Sequence, residues 1–104
     1  MNPSESTSLI GLIENQKDSV VSKTLVTKPS GTVTLFAFDK GQSLSEHTAP
    51  FDALANVVEG EAEITILGKK NLVSVGELIL MPANQPHAIV ALERMKMMLI
   101  MIRS

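Results

Sequence analysis

Gly41-Gln42-Ser43-Leu44-Ser45-Glu46-His47-Thr48-Ala49-Pro50 runs on to Glu59-Gly60, and Gly76 runs on to Met81-Pro82-Ala83-Asn84-Gln85-Pro86-His87. The chain has two histidines, His47 within the first segment and His87 at the end of the second. Around them lie short apolar runs bounded by turn residues. Thr32–Phe38 alternates, and so does Glu61–Leu67, with Ala62, Ile64 and Ile66 set against Glu61, Glu63 and Thr65. That period of two is the signature of half-buried strands.

Working outward, Ser19–Thr27 is rich in β-branched residues, and Lys28-Pro29-Ser30-Gly31 reads as a turn. Ala53–Val58 meets Glu61–Leu67 at Glu59-Gly60, which predicts a hairpin. Leu72–Val75, Pro86–Leu92 and Met95–Ile102 read as further strands, and Leu78–Met81 as a strand covered on both faces. Ser8–Glu14 is short and apolar, readable as a strand or as one helical turn. About ten short strands at this spacing, without a convincing helix, predict an all-β sandwich or barrel. Residues 1–7 are polar and are expected to form a flexible tail, leaving residues 8–104 as one domain.

Composition narrows the function classes. At 104 residues and 44% hydrophobic content the chain can build a core and is not a disordered segment. Its net charge of −2, without a Lys/Arg stripe, argues against a nucleic-acid partner. Cysteine is absent, which excludes disulfides and thiolate ligands. No apolar run reaches bilayer-spanning length and no secretory leader pattern is visible, so no membrane partner and a cytoplasmic location are expected.

His47 and Ala49 share strand parity, so both point to one face, and Ala53 joins them if it keeps that face. Imidazole is the commonest transition-metal ligand, but alanine carries no donor atom, and a tightly held ion usually has three or four protein ligands. Glu46 and Asp52 flank these positions and are expected to face outward. The residues leave two readings open. In one, both histidines line a metal-free ligand pocket or are structural. In the other, they hold a divalent ion weakly.

The two segments resemble the motifs of the cupin superfamily, in particular its small single-domain members. The first family motif, G(x)5HxH(x)3–4E(x)6G, is kept at Gly41, His47 and Gly60, with Ala49 and Ala53 at its second histidine and its glutamate. The second, G(x)5PxG(x)2H, is kept at Gly76, Pro82 and His87, with Asn84 replacing a glycine. Asparagine is the residue that best tolerates left-handed angles after glycine. The resemblance implies a cupin-type β-barrel (a double-stranded β-helix, or jelly roll). It implies metal-ligand positions at His47 and His87 and the loss of the other two. It also implies a homodimer with exchanged N-terminal strands, for which Ser8–Glu14 is the candidate.

The two alanines open space beside His47. The expected pocket is lined by His47, Ala49, Ala53, Val57, Leu80, His87, Met97 and Met101. Met95–Ile102 holds four of the six methionines and reads as a core strand with its second face in a dimer interface. The function expected is small-molecule binding without tightly held metal. The alternative is a cupin enzyme of oxygenase or isomerase type, using a weakly coordinated Fe, Zn, Ni, Mn or Cu ion on His47 and His87. A metal-free enzyme would use either histidine as a general base, and an interaction protein would keep only a vestigial pocket. No tyrosine or tryptophan is present to stack on a sugar.

Overall fold

The computed structural model describes residues 1–103. Among the described residues nine strands follow one short 3-10 turn, Ile10–Leu12. They are β1 (Val20–Lys28), β2 (Gly31–Phe38), β3 (Ser43–His47), β4 (Asp52–Glu59), β5 (Glu61–Ile66), β6 (Lys69–Ser74), β7 (Leu78–Met81), β8 (His87–Ala91) and β9 (Met95–Ile102). They form two antiparallel sheets, one of five strands in the order β1-β2-β9-β4-β7 and one of four in the order β3-β8-β5-β6. The result is a jelly-roll barrel. No helix among the described residues is long and apolar enough to cross a membrane.

Alternation decides which residues meet between the sheets. The five-stranded sheet sends in Phe38, Met95, Met97, Ala53, Ala55, Val57 and Met81, and the four-stranded sheet answers with Ala62, Ile64, Val73, Ile89 and Ala91. All are buried.

The expected hairpin at Glu59-Gly60 is not formed. β4 lies in one sheet and β5 in the other, so Gly60 is where the chain crosses between them. A side chain at Gly60 would run into the Arg94 carbonyl, and its φ is +78°. Only glycine makes that crossing without strain. True hairpins occur at Pro29-Ser30, between Lys28 and Gly31, and at Leu67-Gly68, between Ile66 and Lys69. Both residues of the second turn have positive φ, the geometry that suits strand twist.

The outer face of the five-stranded sheet has its own small core. Ile13, Leu35 and Ala37 are buried there, with Leu9, Leu12, Val21, Leu25 and Met98 packed against them. The N-terminal segment is therefore a lid on this sheet, tied down by Lys96 Nζ donating to the Ile10 carbonyl (2.7 Å) and Lys23 Nζ to Leu12 (3.3 Å). Asn15 Nδ2 donates to the carbonyls of both Phe38 and Met95. The second apolar face of β9 is thus covered in part by the chain's own N-terminus. Beyond the lid, Leu78, Leu80 and Ile102 remain exposed, so β7 is covered on one face only.

Candidate functional site

β3 ends at His47 and β8 begins at His87, and the two residues are register partners. Leu44 and His47 stand three apart and would face opposite ways in a regular strand. A bulge between them turns His47 onto the interior face that Leu44 already occupies. His87 lies on that face beside Ile66.

The imidazoles meet edge to face, with ring centroids 4.3 Å apart and Nε2 to Nε2 at 3.1 Å. His47 Nδ1 lies 2.9 Å from the Ser45 carbonyl and His87 Nδ1 lies 3.3 Å from that of Gln85. A carbonyl can only accept, so each Nδ1 carries the hydrogen, and in the neutral rings both Nε2 lone pairs point at each other. Such a pair is satisfied by something placed between or beside the two nitrogens: a proton, a ligand's donor group or a cation. Burial holds the pKa of His87 below the ordinary histidine value, His47 pushes it the same way, and the Gln85 carbonyl opposes both. His87 is 6% exposed while His47 is open to solvent, so the pair spans the boundary between core and mouth.

The loops carrying the two segments are stitched together. The Asn84 amide donates to the Ala49 carbonyl (2.7 Å), and the Ala83 amide donates to Asp52 Oδ1 (2.8 Å). Asn84 has φ +64°, the left-handed conformation anticipated for the residue standing in for glycine. Asp52 is therefore a loop clamp and is not directed at the histidines.

Ala53 is buried on the opposite sheet, between Met81 and Met101 in register, and Met101 is half-buried at the same level. Ala49 is partly buried in the loop after β3. Three expectations need correction. Leu80 is not a pocket residue: it pairs with Leu54 on the outer face and is half exposed, while Met81 takes the interior position. Val57 and Met97 are register partners with no exposure, four residues along their strands from Ala53 and Met101, and are packed core. Alternation gives the face of those two correctly but not their depth along the strand.

Among the described residues no three His, Cys, Asp or Glu side chains converge as a metal-ligating group. With alanine at positions 49 and 53, the donor set does not fit a tightly held ion. A shallow groove of about 340 Å³ is lined by Val26, Lys28, Val33, Ile100 and Ile102, reaches Thr32 and Met101 at the strand ends, and does not include the histidines. Its apolar walls belong mainly to the outer face of the five-stranded sheet.

Three mouth residues were not anticipated. Phe51 and Arg103 continue the interior parity of β4 and β9, with Arg103 Cζ 5.6 Å from the Phe51 ring centroid. Thr32 pairs with Met101, and its buried Oγ1 has no hydrogen-bond partner. Parity extended past the strand ends would have found the first two.

Two interior faces closed into a jelly roll, with a histidine pair at one open end, define a cupin-type barrel. The chain belongs to the cupin superfamily, as residues 34–103 match the model of the cupin domain. It is similar over its whole length to a conserved protein of unknown function from Streptococcus pyogenes, with 34% identity, 91% of that chain covered and a TM-score of 0.95. A cupin superfamily protein from Desulfitobacterium hafniense is 30% identical, with full coverage of this chain, 95% of that one and a TM-score of 0.94. A cupin 2 conserved barrel domain protein from Leptotrichia buccalis is 42% identical over 91% of this chain and 46% of its own, at a TM-score of 0.87. No protein of curated function matches the chain.

Proposed function

We propose that this barrel binds a small molecule at its mouth, with the His47–His87 pair as the polar anchor and without a tightly held metal. The observation that carries this is the 3.1 Å approach of two Nε2 atoms whose Nδ1 partners are already engaged. Two preorganised acceptors at the end of an apolar barrel core are what a ligand's hydroxyl, amide or ammonium group needs. Ala49 and Ala53 leave room where larger side chains would stand. The test is titration of the protein with a small-molecule panel while the two imidazole C–H resonances are followed by NMR. Ligands that shift both resonances support the reading. If His47→Ala/His87→Ala folds normally and binds every such ligand as wild type does, the site lies elsewhere.

A second reading rests on the same distance. Two imidazole nitrogens each ~2.1 Å from one ion, at cis or tetrahedral angles, would stand ~3.0–3.4 Å apart. The pair has that spacing, so it suits a weakly held divalent ion of the Fe, Zn, Ni, Mn or Cu type. Such an ion would supply Lewis-acid or redox chemistry for an oxygenase- or isomerase-type enzyme. Elemental analysis of untagged protein purified without chelator, beside the double alanine variant, decides between the readings. Near-stoichiometric metal that disappears in the variant favours the second.

A further inference from the structure

The wall facing the histidines carries chemistry of its own. The Arg103 amide donates to the Ser30 carbonyl at 2.8 Å, extending the β2–β9 ladder one step past Gly31 and Ile102. Arg103 therefore keeps the interior parity of Met97 and Met101, as Phe51 keeps that of Ala53 and Ala55. One rung above Ala53 and Met101, the guanidinium lies 5.6 Å from the centre of the Phe51 ring. An aromatic face restrains an arginine while leaving its N–H edge open, and that edge matches a carboxylate in a two-point, in-plane contact.

One further group stands on this wall. Thr32 is the register partner of Met101, and its Oγ1 is the one buried side-chain polar atom among the described residues without a partner. The nearby carboxylate, Asp52, is occupied by the Ala83 amide. This collection sits on a chain whose net charge is −2.

We infer that the ligand is a small organic acid, its carboxylate held by Arg103 on the Phe51 ring and reached by the Thr32 hydroxyl. Its other end lies against the His47–His87 pair. Packed sheets lie ~10 Å apart, so the ligand is a short chain or small ring with an apolar middle against Ala53 and Met101. This inference rests on the mouth being the binding site, and it names the ligand's chemical class.

The experiment titrates wild type, Arg103→Gln, Arg103→Lys and Thr32→Val with short aliphatic mono- and dicarboxylates and their matched primary amides and alcohols. The histidine C–H resonances report arrival at the pocket, and thermal melts report folding. Acids are expected to bind where the amides do not, and Arg103→Gln is expected to weaken them about tenfold or more. Arg103→Lys should recover part of that loss, since it keeps charge without the fork. Thr32→Val should weaken acid binding with the melting temperature unchanged or raised, whereas a purely structural hydroxyl would lower it. If amides and alcohols move the histidine resonances as well as the acids do, and Arg103→Gln changes nothing, the inference is wrong and the pocket stands. If no compound moves those resonances, both are wrong.

Discussion

His47 and His87 face each other through Nε2 at 3.1 Å while each Nδ1 is held by a backbone carbonyl two residues back in the chain. The two rings are thus oriented by their own strands and not by each other. Their mutual contact is the least satisfied part of the arrangement, and it is the part that meets solvent.

The two histidines should differ in what they contribute to stability. His87→Ala removes a buried ring and is expected to cost about 1–3 kcal/mol. His47→Ala removes an exposed one and should stay within ~0.5 kcal/mol. Urea denaturation of the single variants measures both. Equal losses would mean that His47 is as much a packing residue as its partner.

Stability should fall on acidification below the ordinary histidine pKa of 6.5, because the pKa of His87 is lowered in the folded state. Between the two pKa values the unfolded chain binds more protons, so the contribution is complete above 6.5 and is lost as pH falls through the folded value. A second decline belongs below 3.8, where Asp39, held low chiefly by the Asp18 amide, must be protonated. Thermal melts across this range should show both steps, and His87→Asn should remove only the first.

Restoring donors should restore metal. Ala49→His with Ala53→Glu provides four candidate ligands where wild type has two, and near-stoichiometric zinc by elemental analysis is the expected outcome. Without metal the variant should melt below wild type, since Ala53 is 5% exposed and the new carboxylate would be buried. Wild type dialysed against the same zinc should lose it to a mild chelator.

Glycines of similar φ should tolerate alanine very differently. Gly60 lies against the Arg94 carbonyl and Met95 Cα, whereas nothing approaches the side-chain position of Gly76. Gly76→Ala should cost about 1–2 kcal/mol, from the left-handed angle alone. Gly60→Ala should cost several times more, because backbone must also move. Denaturant midpoints check the order.

A homodimer is the expected assembly, built on the exposed apolar side chains Leu78, Leu80 and Ile102 beyond the N-terminal lid. Light scattering should give twice 11.2 kDa, and Leu80→Lys should return the monomer mass. A wild-type monomer at all concentrations would rule this out.

Much of the barrel is legible in the sequence. Period-two alternation marked β2 and β5, turn residues bounded most strands, and the spacing of glycines, proline and histidines placed the two loops. The errors share one cause. Parity says which face a residue takes while the strand is regular, but not how deep it lies, which strand it pairs with, or where a bulge resets the count. Hence pattern alone sets Val57 and Met97 in the pocket, turns Leu80 inward and makes Gly60 a hairpin, where the structure has core, outer face and a crossing between sheets.

The sequence by itself determined most of the strands, the all-β class, the frame of the two histidine loops and the presence of alanine at positions 49 and 53, since these depend on local pattern and residue chemistry. Only the tertiary structure decided that a bulge brings His47 to His87, that the N-terminus covers its own sheet, and that Arg103 lies over Phe51. Each is a contact between segments remote in the chain, fixed by how two twisted sheets close on one core and not by any residue's neighbours.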